Sequence, residues 1–264
     1  MDDCLESPMA NKYSLRKRLK LPILMKALKI QKNDILLDVG CGAGVFSQEM
    51  ALRGGKVIGL DYSETNVKAV RERYKLLNLS FEVGDATKMP FKNETFDSVL
   101  GTEIIEHIQD DNMFVSECYR VLKKGGKVVI TTPCTNPTIS VDWARRFFAG
   151  IDITKDFGHK RGGYTKEELF DILKKNNFVP EKVVYYDILF GELAWVITCM
   201  PRAFTNKNWK SGEGQEKLGN SFMFNVYKLI FPLIYLFARL DIFLKGLKGH
   251  HIMVVGRKNY EITK

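Results

Sequence analysis

Short apolar runs alternate with longer segments of helical periodicity through the first half of the chain. The first run, residues 35–37, is apolar at consecutive positions and so on both faces, which is typical of a strand buried in a parallel sheet. The segments between the runs are helical in pattern, and one begins after Ser63, a residue type that caps helix N-termini. This alternation predicts an α/β fold with a doubly wound, mostly parallel sheet and helices on both faces. The predicted strands are 35–39, 56–61, 79–85, 96–102 and 123–133.

Acidic, glycine or hydroxyl residues stand at the carboxyl end of the predicted strands. The first strand ends in Asp38 and runs into Gly40, Gly42 and Gly44, where glycine permits positive φ and close approach of a ligand. Because the carboxyl ends of parallel strands meet at one edge of an open α/β sheet, these residues should line a common crevice. The corresponding residues after the later strands are Asp61, Asp85, Thr102 and Glu103.

The glycine turn differs from two common phosphate-binding loops. A nicotinamide site of the G-x-G-x-x-G type would need glycine where Val45 stands, and the Gly-Lys-Ser/Thr ending of a P-loop is absent. Asp38 before the turn suits a ligand with a positive ammonium group, as an amino-acid moiety has, better than a pyrophosphate. Asp61 lies about twenty residues further on, where an acidic side chain meets ribose hydroxyls, and either Tyr62 or the end of the third strand would flank an adenine.

Five motifs follow one another in this order: LLDVGCGAG, GLDYS, GDATKMPFKNETFD, GTEIIEHI and RVLKKGGKVVITTP. As a set they resemble the class I S-adenosylmethionine-dependent methyltransferases, and most closely the small-molecule and quinone-type members with an E-x-x-E-H segment. The resemblance covers about residues 34–133. It implies a Rossmann-like sheet with an antiparallel last pair of strands, here 182–189 and 252–257, and S-adenosyl-L-methionine as the cofactor.

The same resemblance implies which residues meet each part of the cofactor. The methionine end is expected at the glycine turn, the ribose at Asp61 and the adenine at Asp85 and Ala86. Thr102 and Glu103 would line the methyl donor from below. The full set of expected cofactor-binding residues is Asp38, Gly40, Cys41, Gly42, Gly44, Asp61, Tyr62, Asp85, Ala86 and Thr102.

Glu103, Glu106 and His107 form the candidate catalytic group on the acceptor side. If the segment is helical, Glu103 shares a face with the other two side chains. Two carboxylates and an imidazole suit Mg²⁺ or a transition ion, and His159 is the candidate fourth ligand. Some methyltransferases with a similar segment are thought to bind a metal there. The alternative needs no metal: Glu103 lines the cofactor pocket and His107 is a helix-surface or hydrogen-bonded residue.

The formal net charge of +9 favours contact with something anionic, such as nucleic acid, a lipid surface or an acidic substrate. An ordinary basic surface is the alternative. The five cysteines are odd in number and include no CxxC pair, which favours a reducing compartment. The chain starts with a polar, acidic segment that lacks the pattern of a secretory signal. We therefore expect a cytoplasmic protein. A peripheral location at the membrane surface is compatible with this expectation.

The C-terminal third of the chain is apolar and is predicted to be helical. Its longest uncharged run, Leu229–Ala238, is ten residues, whereas a membrane-spanning helix needs about twenty. Burial as a cap over an apolar substrate, packing in a dimer and docking on a bilayer all fit this composition. As a helix the segment would carry a narrow polar stripe, formed by Ser221, Asn225, Lys228, Pro232, Tyr235 and Arg239.

Together these patterns predict a methyltransferase domain with additions at both ends and one insertion. Within the insertion, the aromatic and basic residues 143–148 form either a lid or a packed surface helix. The predicted function is methylation of a small or lipophilic acceptor of quinone or lipid type, at oxygen. The alternatives are an RNA methyltransferase and a non-catalytic cofactor-binding protein. Within the N-terminal segment, residues 14–30 are helical in pattern at both ends with Pro22 between, and we expect them to lie across the edge of the sheet. The predicted segments are 1–33 (N-terminal helical), 34–190 (methyltransferase domain, insertion 134–163), 191–250 (apolar cap or membrane contact) and 251–264 (final strand and tail).

Overall fold

The structure is a computed structural model, and it describes residues 14–143, 159–196 and 222–259. Its strands are β1 (Ile35–Val39), β2 (Lys56–Asp61), β3 (Leu79–Val83), β4 (Phe96–Thr102), β5 (Leu122–Pro133), β6 (Phe178–Tyr186) and β7 (His251–Lys258). They form one sheet in the order β3-β2-β1-β4-β5-β7-β6. Neighbouring strands are parallel except that β7 runs antiparallel to both β5 and β6. The expected Rossmann-like sheet with an antiparallel last strand is confirmed.

Helices cover both faces of this sheet. They are α1 (Leu15–Leu28), α2 (Val45–Leu52), α3 (Glu64–Arg73), α4 (Asp111–Val121), α5 (Lys166–Lys175) and α6 (Phe222–Ala238), with 3₁₀ turns at Ile105–His107 and Arg239–Leu244. Local sequence sets several of their ends. Ser63 caps α3, and Thr165 and Glu168 form a reciprocal capping box at α5.

Alternate residues of the central strands divide the core between the two faces. On one face Leu37 and Val99 pack with α4 and α5. On the opposite face their chain neighbours Leu36 and Leu100 pack with α1 and α2. Each such fully buried side chain stabilises the fold by about 1.5–3 kcal/mol. This two-sided burial explains why the strands are apolar at consecutive positions rather than at every second one.

The N-terminal helix differs from the pattern expected around Pro22. The sequence suggested two helical ends separated by the proline and lying across the sheet edge, whereas α1 is continuous through Pro22 and packs on a sheet face. Leu24 and Leu28 are buried there. Burial of the second half of the helix therefore outweighs the loss of one backbone hydrogen bond at the proline.

Two other sequence expectations change in detail. The third strand ends at Val83, so Asp85 lies in the following turn and makes only an isolated bridge with Lys88. The last antiparallel pair begins earlier in the chain on its first strand, at Phe178. The insertion expected at 134–163 is described only in part, and most of the predicted lid, from residue 144 on, lies outside the described residues.

Helix α6 has one buried and one exposed apolar side. Phe231 and Ala238 pack against Leu15 of α1 and Ala194. On the other side Leu229, Leu233, Leu236 and, in the next 3₁₀ turn, Phe243 each expose 65% or more of their surface; we call these four residues the outer apolar surface. Among the described helices, none is both long enough and apolar enough to cross a membrane.

Candidate active site

The loop between β1 and α2 places a buried carboxylate beside an open turn. Asp38 is 1% exposed, and its Oδ2 accepts a hydrogen bond of 2.5 Å from Ser47 Oγ. Burial raises the pKa of Asp38 to about 7; the nearby charge of Asp61 adds to the rise, and the bond from Ser47 opposes it. A carboxyl group in this state gains strongly from a cationic partner.

The glycines of the turn are required by their backbone geometry. Gly40, Gly42 and Gly44 have φ values of 69°, 48° and 71°. A Cβ on Gly40 would lie 2.5 Å from Cδ1 of Ile104, and one on Gly44 would lie 2.8 Å from Cε2 of Tyr74. A Cβ on Gly42 would meet nothing within 4 Å, so the turn is open on that side.

Asp61 at the end of β2 ties this turn to the neighbouring loop. Its Oδ2 accepts a hydrogen bond of 2.8 Å from Gly42 N, and its Oδ1 accepts one of 3.0 Å from Ser63 N. Tyr62 beside it is 82% exposed, and Cys41 in the turn is buried. Burial raises the pKa of the Cys41 thiol well above its usual range, so this thiol is not a nucleophile at neutral pH.

The third strand end contributes more exposed groups to the same sheet edge. Asp85 is exposed, and its Oδ1 accepts hydrogen bonds from the backbone N and the hydroxyl of Thr87. Ala86 is half-buried against the main core. Thr102 ends β4, paired with Thr131 of β5. The expected cofactor-binding residues therefore lie in the loops or strand ends at the carboxyl edge of β1, β2, β3 and β4.

Glu103 follows β4 in a left-handed conformation, with φ of 51°, and its carboxylate is already engaged. Oε1 accepts hydrogen bonds from Lys20 Nζ at 2.7 Å, Thr131 Oγ1 at 2.9 Å and Tyr186 OH at 3.2 Å. Burial alone would raise the pKa of Glu103, but the charge of Lys20 and the hydrogen bonds from Lys20 and Thr131 outweigh it and hold the pKa well below its usual range. Such a carboxylate is a poor proton acceptor.

Glu106, His107 and His159 form a second group at this edge, with one ligand atom from each within 4.8 Å of the others. Glu106 is fully buried; its Oε2 accepts a bond of 3.0 Å from Thr132 Oγ1, while Oε1 makes no hydrogen bond within the described residues. Burial, with repulsion from Glu103, raises the pKa of Glu106 to about 8. Burial and the neighbouring His107 lower the pKa of His159 to about 4.

A short segment of chain from 159 to 164 brings His159 to this group. Lys160 N donates a hydrogen bond of 2.9 Å to the carbonyl oxygen of Glu106. Asp111 anchors the far end, because its Oδ2 accepts a bond of 2.9 Å from Tyr164 OH and pairs with Arg161 at 2.8 Å. The histidine rings of 107 and 159 meet edge to face, with centroids 4.7 Å apart.

The structure separates residues that the sequence grouped together. Ile105–His107 is a single 3₁₀ turn rather than part of an α-helix, so Glu103 does not share a face with Glu106 and His107. Glu103 instead contacts Lys20, Tyr186 and His251. These three residues could not be found from the sequence, since no local spacing links residues so far apart. Ser47, which bonds to Asp38, was missed for the simpler reason that a serine within a helix carries little signal.

Comparison with known proteins identifies the family. A family model described as "Methyltransferase domain" matches residues 37–130. The ubiquinone biosynthesis O-methyltransferase of Pelagibacter ubique (strain HTCC1062) is 30% identical over 204 residues, which span 72% of this chain and 83% of that protein. The chain belongs to the class I S-adenosylmethionine-dependent methyltransferases. This assignment confirms the resemblance read from the five motifs.

Two further comparisons define how far the likeness extends. A protein of the same name from Cereibacter sphaeroides (strain ATCC 17029 / ATH 2.4.9) is 28% identical over 61% of this chain and 65% of its own length. The solved structure of Haemonchus contortus phosphoethanolamine N-methyltransferase 2 in complex with S-adenosyl-L-methionine superposes with a TM-score of 0.61 at 22% identity, covering 92% of this chain and 52% of that one. The last likeness concerns the fold alone. The methyltransferase uses S-adenosyl-L-methionine as its methyl donor and a small molecule as acceptor.

Proposed function

We propose that this methyltransferase transfers the methyl group of S-adenosyl-L-methionine to an oxygen atom of a quinone- or lipid-type acceptor. The names of the relatives from Pelagibacter and Cereibacter support an O-methylation of this kind. The structural support is the pair Glu106 and His107, which follows β4 at the same sheet edge as the glycine turn, together with His159, which the segment after β5 brings beside them. This juxtaposition is the observation on which the proposal rests.

On the donor side, the proposal assigns the cofactor's ammonium group to Asp38 and its ribose hydroxyls to Asp61. Among the described residues, no cation contacts the buried carboxylate of Asp38, and an ammonium group would supply one. The turn of Gly40, Gly42 and Gly44 would let the methionine end approach the backbone. Asp85 and Ala86 would meet the adenine with Tyr62 beside it, and Thr102 would line the donor below its methyl group.

On the acceptor side, the proposal assigns a divalent cation such as Mg²⁺ to Glu106, His107 and His159. The fit is supported by Glu106 Oε1, a buried oxygen without a hydrogen bond among the described residues. A cation bound there would lower the pKa of an acceptor hydroxyl. Glu103, which the sequence places in the same candidate catalytic group, would serve instead as a fixed negative charge, because its carboxylate is already paired with Lys20.

Methyl transfer from a sulfonium is an in-line displacement, so the protein's main task is alignment of acceptor oxygen, methyl carbon and sulfur. The acceptor hydroxyl must lose its proton for the oxygen to attack. Glu103 with its lowered pKa is unsuited to take that proton, whereas His107 and Glu106 lie in the group that would face the hydroxyl. The proposal therefore gives orientation to the donor loop and proton removal to the acceptor group.

The test is a methyl-transfer assay with labelled donor against hydroxylated quinols with and without a prenyl tail, and against RNA and simple amines. We expect label on a quinol oxygen, loss of turnover after dialysis with EDTA and recovery when Mg²⁺ is restored. Glu72→Gln on the exposed side of α3 is the control variant and should behave as the wild type. Label in RNA or on nitrogen, with none on quinols, would contradict the proposed acceptor. Unchanged turnover in the absence of divalent cations would contradict the proposed cation site.

We further propose that the outer apolar surface of α6 contacts the membrane that holds a lipophilic acceptor. Leu229, Leu233, Leu236 and Phe243 are exposed together, and Lys228, Arg239, Lys245 and Lys248 lie close to them in the chain. An apolar surface with flanking cations suits anionic headgroups. Flotation with anionic vesicles should carry the protein at low salt, and Leu229→Ser/Leu233→Ser should abolish this. A protein that remains unbound at both low and high salt would contradict membrane contact.

A further inference from the structure

A second group of possible ligands lies next to Glu103 and shares no residue with Glu106, His107 and His159. It comprises Asp187, Glu192 and His251, with one ligand atom from each within 4.8 Å of the others. Their exposed fractions are 4%, 0% and 5%. Asp187 directly follows β6, Glu192 lies in the helical segment 190–196, and His251 is the first residue of β7. The group therefore joins three separate parts of the chain next to Glu103.

Two atoms at the centre of this group are buried without a hydrogen bond among the described residues: Asp187 Oδ2 and His251 Nδ1. They face each other at 3.3 Å, and Nδ1 lies 3.5 Å from Glu192 Oε1. Hydrogen bonds between ionised groups are usually shorter, about 2.7–2.9 Å. In a tetrahedral zinc site with bonds of about 2.0–2.1 Å, neighbouring ligand atoms lie about 3.3–3.4 Å apart. The observed spacing fits shared coordination of one ion better than direct hydrogen bonds.

The surroundings of the group resemble the outer shell of a metal site. The other ring nitrogen of His251, Nε2, faces Glu103 Oε2 at 3.7 Å, and metal-bound histidines commonly direct their second nitrogen at a carboxylate. Glu192 is held by Arg16, whose Nη2 lies 2.9 and 3.1 Å from its two oxygens. These contacts orient both side chains; Oε1 of Glu192 accepts the 2.9 Å bond from Arg16 and keeps a second lone pair for the centre of the group.

The local charges also favour a cation at this point. The carboxylates of Glu192 and Glu103 pair with Arg16 and Lys20, and that of Asp187 contacts His251. A cation between Asp187 and His251 would compensate the Asp187 carboxylate, which is buried where an uncompensated charge is costly. A protonated His251 would supply that charge as well, and this is the competing explanation that the experiment must separate.

We propose that Asp187, Glu192 and His251 bind a divalent transition ion, with Zn²⁺ as the best match to one imidazole and two carboxylates. The ion would have a structural role, because its three protein ligands are buried and connect the end of β6, the segment 190–196 and the start of β7. It is distinct from the cation proposed for Glu106, His107 and His159. The inference does not depend on the acceptor or on the membrane contact.

The test is metal analysis of full-length protein produced in medium supplemented with Zn²⁺ and then dialysed against EDTA. We expect about one zinc ion per chain to resist dialysis, as a buried structural site should. Asp187→Asn and His251→Gln should each lose this ion, whereas Glu106→Gln should retain it. Protein produced with Co²⁺ in place of Zn²⁺ should show the visible absorption of tetrahedral cobalt.

Wild-type protein without retained zinc, and without the cobalt absorption, would overturn the proposal in favour of a protonated His251. Equal zinc content in wild type and Asp187→Asn would also overturn it. If a variant fails to fold, X-ray absorption of the zinc-loaded wild type still decides, because the proposal requires nitrogen and oxygen ligands at about 2.0–2.2 Å and excludes sulfur. Failure to methylate quinols would leave these measurements unaffected, so the two proposals fail separately.

Discussion

The proposed donor half of the site, formed by the glycine turn with Asp38 and Asp61, and the proposed acceptor half, formed by Glu103, Glu106, His107 and His159, are constructed in different ways. In the donor half, Gly42 N bonds to Asp61 and Ser47 bonds to Asp38, across 19 and 9 positions of sequence. In the acceptor half, Glu103 is held by Lys20 and Tyr186, each 83 positions away. The donor half is thus shaped by a turn and adjacent strands, whereas the acceptor half depends on side chains from distant elements.

The two halves also differ in how their carboxylates are compensated. Asp38 is buried with no cation in contact among the described residues, and burial raises its pKa to about 7. Glu103 is half-buried beside Lys20, and its pKa lies well below the usual range. A carboxylate at a strand end can therefore lack a cationic partner until a ligand binds, or it can already form an ion pair within the protein. Position in the chain does not tell these two states apart.

The largest expected effect is on turnover, and it should come from a substitution in the acceptor half that leaves donor binding nearly unchanged. His107→Ala should lower kcat about 1000-fold, because proton removal and cation binding at the acceptor both involve this group under the proposed function. The dissociation constant of the donor should change less than about twofold, since His107 lies outside the donor loop. Steady-state kinetics and calorimetry of donor binding measure the two quantities. Near-normal turnover would return His107 to a purely structural role.

The next effect tests whether the acceptor half is held together by long-range charge. Lys20→Met removes the cation beside Glu103 and should lower the free energy of unfolding by about 3 kcal/mol, as loss of one partner in a buried pair does. Lys26→Met on the exposed side of the same helix is the matched control and should change it by less than about 0.5 kcal/mol. Urea unfolding followed by circular dichroism gives both values. Equal stability of the two variants would mean that the Lys20 pair contributes little.

The difference between the halves also explains what the sequence could predict. The positions of the first five strands along the chain, the glycine turn and Asp61 follow from short-range patterns. The confirmed Rossmann-like sheet follows from the alternation of strands and helices. Lys20, Tyr186 and His251 could not be found in this way, because only the folded sheet brings α1, β6 and β7 to Glu103. The 3₁₀ turn at Ile105–His107 was missed as well, since helix-like spacing does not reveal a single tight turn.

Helix α6 gives the same lesson for a surface. The sequence predicted a narrow polar stripe, which suggests that the rest of the helix is covered. In the structure, Phe231 is buried while Leu229 and Leu233 are exposed. Periodicity identifies the apolar positions, but it does not say which of them meet another part of the protein.

A smaller effect concerns binding in the donor half alone. Asp61→Ala should weaken donor binding about 30-fold, or about 2 kcal/mol, because the variant loses the proposed ribose contact and the bond that fixes Gly42. Glu64→Ala, three positions later and exposed, is the control and should bind the donor as the wild type does. Calorimetric titration compares the two. Wild-type affinity in Asp61→Ala would contradict the ribose assignment.

The smallest effect is a pH dependence that belongs only to the donor half. If the free protein has an Asp38 pKa of about 7, the ammonium group of the donor must displace a proton at lower pH, so affinity falls as pH falls below 7 and levels off above it. The dissociation constant at pH 6 should therefore be about tenfold higher than at pH 8.

Asp38→Asn should bind weakly with no such slope, and Ser47→Ala should move the midpoint to higher pH because it removes a bond that lowers the pKa. Glu106→Gln should keep the wild-type slope, which separates Asp38 from the other carboxyl group that titrates near neutrality. A slope that survives Asp38→Asn and disappears in Glu106→Gln would instead assign the pH dependence to the acceptor half.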